Sequence, residues 1–250
     1  MTVTSSLGRS PETVLDTLRR LADAQKGAQG APAYSRYVNR RLGRVLAALA
    51  WRAGLTPNAV TVISACVTAT GVALVALTPP SWAVAFGVTA CLVVGYALDS
   101  ADGQLARLRG GGSPAGEWLD HMVDAVKLSS LHLAVLIGLY RSGAVGALVL
   151  LIPIAYCVAD GALFFAMMLN EALRAQHGVA TRAQAAGAQP SLRRSLLSLP
   201  TDYGLLALTF VLWATPVGFV FTYAALLCAT AAHLALGSVK WFREMGGLPR

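Results

Sequence analysis

Charge is what this sequence has least of. Asp, Glu, Lys and Arg make up 13% of its 250 residues, where a soluble domain carries about 25%. With 56% of the chain hydrophobic, that deficit excludes an ordinary water-soluble domain and makes lipid the solvent for much of the chain. Cysteine is scarce as well. Cys66, Cys91, Cys157 and Cys228 each lie inside an apolar run, and no two have metal-ligand spacing. This excludes a disulfide framework and a His–Cys zinc site, and leaves four small packing residues. No signal peptide is expected, because the first apolar stretch comes late, behind a polar, basic segment. No internal repeat is present. Acids are the rarer sign of charge: 12 against 20 bases give a net charge of +8. The excess fits a basic cytoplasmic face against anionic lipid rather than a nucleic-acid partner. Arg far outnumbers Lys, as in a bacterial chain with GC-rich coding.

What is present is a series of long apolar runs. Spans are expected near 58–78, 82–99, 117–140, 144–170, 202–214 and 217–240, the fifth of them short. The fold class that follows is all-α: an integral membrane bundle of six transmembrane helices. Residues 1–32 read as a cytoplasmic extension, with Ser10 and Pro11 opening a helix. Residues 33–56 read as an amphipathic juxtamembrane helix in the membrane interface. Its apolar face is Tyr34, Val38, Leu42, Val45, Leu46 and Leu49, and its basic flank is Arg36, Arg40, Arg41 and Arg44. The membrane domain then covers 57–242 and a short tail 243–250. Turns at Pro79-Pro80, at 141–143 and at Pro216 fall on one side, which carries only Arg141. Nine bases before the first span, then Arg107, Arg109, Arg174, Arg182, Arg193, Arg194, Lys240, Arg243 and Arg250, fall on the other. The positive-inside rule puts both termini in the cytoplasm, at a cell membrane.

A charge inside a span is a functional hypothesis by default, and four acids cluster on the second and third spans. Asp99 and Asp102 are three residues apart, Asp120 and Asp124 four apart, so each pair shares a helix face. The two spans are antiparallel neighbours joined by the loop 100–116, so the pairs converge at the cytoplasmic end. Four carboxylates at close range cannot all ionise unaided. Two divalent cations would offset them, and hard oxygen ligands suit Mg²⁺ or Mn²⁺. Gly103 and Gly116 let a bulky ligand approach the backbone. Arg107, one turn from Gly103, can pair with a phosphate.

The segment Asp99-x-x-Asp102-Gly103-x-x-Ala106-Arg107, eight residues, Gly116-x-x-x-Asp120-x-x-x-Asp124 resembles the signature of the CDP-alcohol phosphotransferase family at every fixed position. The resemblance implies six spans, a cytoplasmic active site and a homodimer. It implies that Asp99, Asp102, Asp120 and Asp124 bind two divalent metal ions, and that Asp102, Gly103, Ala106, Arg107 and Gly116 form the CDP site. It implies that Asp124 is the general base for the acceptor hydroxyl and that CMP is released. The donor it favours is CDP-diacylglycerol, with a polar alcohol as acceptor. The opposite arrangement, a CDP-choline or CDP-ethanolamine donor with diacylglycerol, stays open, because the run Gly116–Asp124 resembles those enzymes too. The run after Asp124 carries Lys127 and lacks the Arg of inositol-phosphate enzymes, a departure that counts against an inositol-phosphate acceptor without excluding it.

Other positions read more simply. Thr56-Pro57-Asn58 and Thr61 open the first span, as a helix cap or as a donor contact. Ser113 belongs to a turn with Pro114 or approaches the nucleotide. Lys127, Arg174, Arg193 and Arg194 are candidates for acceptor binding, Lys127 equally for a salt bridge to the carboxylates. His121 is placed beside the metal ligands, and Asp160 and His132 in helix packing. Two rival readings remain. A membrane prenyltransferase carries its aspartate motifs far apart, unlike this single hairpin. An ion-coupled transporter commonly shows repeated halves and interrupted helices, which this chain lacks.

Overall fold

The computed structural model describes residues 20–21, 32–180, 195–196 and 198–249. The helix expected after Ser10, and Arg182, Arg193 and Arg194, lie outside the described residues. Among the described residues all regular structure is helical. A π-helical turn Ser35–Asn39 leads into α1, Arg40–Arg52; α2 is Pro57–Leu77, α3 Trp82–Leu108 and α4 Pro114–Ser142. A 3-10 turn Ala147–Leu150 leads into α5, Leu151–Gln176; α6 is Tyr203–Thr209, and α7 is Pro216–Gly246.

Among the described residues, five helices are long and apolar enough to cross a membrane: α2, α3, α4, α5 with its leading 3-10 turn, and α7. The expected fifth span is different. Residues 203–214 form a seven-residue α-helix and a five-residue 3-10 turn. That run is about 20 Å long, less than a hydrocarbon core of about 30 Å. Its apolarity signals burial instead: Leu206, Ala207, Phe210 and Trp213 are all buried against the bundle.

Local chemistry sets the helix starts. Thr56 Oγ1 accepts from Ala59 N at 3.2 Å, with Pro57 at the first position of α2. Ser113 Oγ accepts from Gly116 N at 3.1 Å, with Pro114 opening α4. Each cap satisfies a backbone donor that the helix itself cannot. The sequence predicts a loop over 100–116, but helix continues to Leu108 and resumes at Pro114. The hydropathy falls there without the helical hydrogen bonding ending. The residual turn, 109–113, holds Gly110 and Gly111 at φ +96° and +133°, a region where a side chain would be strained.

Small residues bring α2 and α3 together. Ser64 Oγ donates to the Gly95 carbonyl at 2.8 Å, and a Cβ on Gly95 would run into the Thr68 hydroxyl. Such close backbone approach is how helices associate where lipid removes the hydrophobic drive. At the end away from the acids, Phe210, Trp213, Phe219 and Tyr223 are fully buried, with ring centroids 5.0 to 5.2 Å apart for successive pairs through Phe219. At the acid-bearing end, Ala47, Ala48, Val60, Ala101 and Leu105 form a second core joining α1, α2 and α3. The helix α1 therefore turns its small residues to the bundle. Most of the apolar stripe expected from its sequence, Val38, Leu42, Val45 and Leu49, is exposed.

Polar groups within the bundle find partners across helices. His132 Nε2 lies 3.2 Å from Asp160 Oδ2 and its Nδ1 2.5 Å from the Tyr223 hydroxyl. Asp160 thus links α5 to α4, in keeping with a packing role.

Candidate active site

The acid-bearing helices α3 and α4 leave a cavity of about 170 Å³ between them and α1. Asp99, Asp102, Gly103 and Arg107 reach it from α3, and Asp120 from α4; Ser100, Gln104 and Arg40 complete the lining. Asp99, Asp102 and Asp120 thus share one cavity, on the two neighbouring helices that carry the acid pairs. Ala106, Gly116 and Asp124 do not line the cavity.

Each acid is held differently. Asp102 is buried, and its Oδ2 accepts from Thr61 Oγ1 at 2.5 Å; that hydroxyl also lies 3.2 Å from the Pro57 carbonyl. Thr61, at the start of α2, therefore fixes the rotamer of a carboxylate on α3. Lys127, buried one turn beyond Asp124, places its Nζ 3.1 Å from Asp99 Oδ1 and 2.5 Å from Asp124 Oδ1. The Tyr203 ring lies 5.2 Å from the same ammonium, within cation–π range. Asp120, His121 and Asp124 offer ligand atoms that all lie within 4.8 Å of one another. His121 also stands 3.9 Å from Glu117.

These residues fit divalent cations. The four aspartates offer carboxylate oxygens, the donors that hard ions accept. Three carboxylates, Asp99, Asp102 and Asp120, put negative charge on the cavity lining, while Arg107 and Arg40 supply positive charge on the same lining. Acids on one part of a cavity and guanidiniums on another can take a cation and a phosphate together.

The remaining candidates lie elsewhere. Arg174 pairs with Glu171 at 3.8 Å and with Glu244, tying α5 to α7. Arg193 and Arg194 lie outside the described residues. Ser113 acts as the cap of α4. Gly116 sits where a Cβ would stand 3.0 Å from Asn58 Oδ1, so the start of α4 packs on the start of α2.

Asp202, at the start of the segment expected as the fifth span, is buried. Its Oδ2 accepts from Ser35 N at 2.8 Å and its Oδ1 from Gly204 N at 2.9 Å. Burial pushes its carboxyl above the usual carboxylate range, and the two backbone donors work against that push. It fastens the turn before α1 to the start of α6. Sequence reasoning missed this tie, and it missed Arg40 and Gln104 in the cavity; neither has a local signal, since both depend on how α1 folds back along α3.

Comparison with known proteins places this geometry. The family model described as CDP-alcohol phosphatidyltransferase matches residues 54–234. Two crystal structures of Mycobacterium tuberculosis phosphatidylinositol phosphate synthase (PgsA1) share the fold. The complex with manganese and citrate is 20% identical, with a TM-score of 0.52 over 85% of this chain and 90% of that chain. The structure with CDP-DAG bound is 18% identical, with a TM-score of 0.54 over 85% of this chain and 95% of that chain. No curated protein matches the sequence.

Proposed function

The chain belongs to the CDP-alcohol phosphatidyltransferase family, and from that premise we propose that it transfers a phosphatidyl group from CDP-diacylglycerol to the hydroxyl of a polar alcohol, releasing CMP. The observation that carries the reading is the cavity itself. Asp99, Asp102, Asp120, Gly103 and Arg107, all fixed positions of the family motif, line one space at one end of a membrane bundle. The lipid donor is supported by the fold relative whose structure holds CDP-DAG. Divalent metal is supported by the donor chemistry and by the relative crystallised with manganese.

Asp99, Asp102, Asp120 and Asp124 would hold two Mg²⁺ or Mn²⁺ ions. When bound, such ions polarise the donor diphosphate and offset the charge of departing CMP. Thr61 keeps Asp102 in one orientation, so that little reorganisation is needed on loading. Gly103 leaves the cavity open, and Arg107 pairs with a donor phosphate. Asp124 takes the proton of the acceptor hydroxyl as the acceptor oxygen bonds to phosphorus and the bond to the CMP oxygen breaks. The alcohol needs help to lose that proton, because a carboxylate is a weak base towards it. Lys127, against both Asp99 and Asp124, keeps the acids together and lies where an anionic acceptor would gain a charge partner.

The exposed stripe of α1 supports an interfacial position for residues 33–56. The membrane domain would then be 57–242, with the cavity and both termini cytoplasmic and the enzyme a homodimer.

The test is CMP release by the purified protein with Mg²⁺. CDP-diacylglycerol is offered with a panel of polar alcohols and their phosphates, and CDP-choline or CDP-ethanolamine with diacylglycerol. Release with the lipid donor supports the proposal and names the acceptor. Release only with CDP-choline or CDP-ethanolamine assigns the lipid to the acceptor side. No release and no binding of any CDP compound would return the chain to the ion-coupled transporter reading.

A further inference from the structure

Arg40 is the one cavity-lining residue that lies outside the family-matched segment 54–234. It belongs to α1, and contacts on both sides of it hold that helix against α3 and its neighbours. Gln104 Nε2 donates to the Arg40 carbonyl at 3.1 Å. Asn39 Nδ2 donates to the Tyr96 carbonyl at 3.1 Å. Ser35 N donates to Asp202 at 2.8 Å. One turn further on, a Cβ at Gly43 would stand 2.7 Å from Ser100 Oγ, so α1 and α3 meet there at the closest distance glycine allows. The polar seam fixes where Arg40 begins, and the cavity is where its side chain goes.

The charges explain why a guanidinium is useful at that place. Asp99, Asp102 and Asp120 are the acids of the lining, and Arg107 is its other base. Two guanidiniums on one small cavity repel each other, and an anion with several oxygens relieves that repulsion. A diphosphate has enough oxygens to meet the metal ions on one side and two guanidiniums on the other. The family motif assigns Arg107 to the donor and says nothing of Arg40.

We propose that Arg40 is a donor-binding residue, holding the diphosphate of the CDP compound together with Arg107, so that α1 forms a wall of the active site as well as a rim of the membrane domain. The proposal rests on the transferase reading above. It predicts that a helix outside the family-matched segment 54–234 contributes to the affinity for the nucleotide.

The experiment is calorimetric titration of CDP into the full-length protein in lipid nanodiscs with Mg²⁺. The variants are Arg40→Ala, Arg40→Lys and, as control, Arg41→Ala, whose residue is exposed on the same helix. A charge-assisted contact of this kind predicts about a tenfold or greater loss of CDP affinity in Arg40→Ala, partly restored in Arg40→Lys. Arg41→Ala is expected to bind as the wild type does. Each variant is first shown to be monodisperse with an unchanged melting temperature; if Arg40→Ala does not fold, Arg40→Lys carries the test with a smaller loss. CDP binding unchanged in the Arg40 variants would overturn the proposal, as would an equal loss in Arg41→Ala. An unchanged CDP affinity with a raised KM for the acceptor would move Arg40 to the other substrate and overturn it too. A wild-type protein that binds no CDP would sink the transferase reading itself, and this proposal with it.

Discussion

Thr61 and Asp102, 41 residues apart, share a buried hydrogen bond of 2.5 Å between the start of α2 and the middle of the acid motif. The hydroxyl there holds the carboxylate in one direction. Such outer partners tune metal affinity by about 10- to 100-fold. Thr61→Val keeps the shape and removes the donor. The Mg²⁺ concentration for half-maximal CMP release is expected to rise about tenfold, with activity recovered at saturating metal. An unchanged metal requirement would mean that Thr61 serves only to pack α2.

Asp124 is expected to separate binding from chemistry. Asp124→Asn loses the proton acceptor but leaves three acids, so turnover falls by about 10² to 10⁴. CDP binding in Mg²⁺ is expected to stay close to that of the wild type. Near-normal turnover would show that the base lies elsewhere.

Lys127 sits between Asp99 and Asp124 with its own side chain only 7% exposed. Removing one member of a buried ion pair costs about 3 kcal/mol or more. Lys127→Met is therefore expected to melt well below the wild type in a chelator. Divalent metal supplies charge to the same acids, so adding Mg²⁺ should recover most of the difference. Thermal melts with and without Mg²⁺ decide it: an equal deficit in both conditions would reduce Lys127 to a packing residue.

Asp202 caps α6 and receives the Ser35 backbone N–H. Asp202→Ala forfeits a cap worth about 1 kcal/mol and leaves a part-buried donor without its acceptor. Faster limited proteolysis near residues 32–40 is the expected result, along with a lower melting temperature. Unaltered cleavage kinetics would show that α1 is held by its apolar contacts alone.

Much of the fold was legible because membrane spans and caps are local signals. The positions of α2, α3, α4, α5 and α7 follow from apolar runs, and Thr56-Pro57 and Ser113-Pro114 mark starts that the structure keeps. The acid motif was legible for the same reason: its spacing is a helical spacing. The segment 203–214 was less legible, because apolarity reports burial as well as lipid and its twelve-residue helical run is shorter than a bilayer core. The apolar stripe of α1 stays off the bundle, as an interfacial helix requires, but its other contact was hidden, since alanine and glycine on the opposite side carry no signal that they pack on α2 and α3. Arg174, a candidate for acceptor binding, pairs with Glu244, seventy residues away, and no spacing rule foresees that.

The turn 109–113 joins the two acid-bearing helices with five residues, and this has a consequence for the order in which the protein is made. Among the described residues, every one lining the cavity lies between Arg40 and Asp120; Thr61 falls inside that interval, and Asp124 and Lys127 extend it by only a few residues. A ribosome that has reached residue 127 has therefore supplied the whole set, before α5, α6 or α7 exists. Closing so short a turn costs little chain entropy. The later helices wrap an active-site hairpin whose parts have already been delivered to the membrane, and the C-terminal half of the chain serves as its casing.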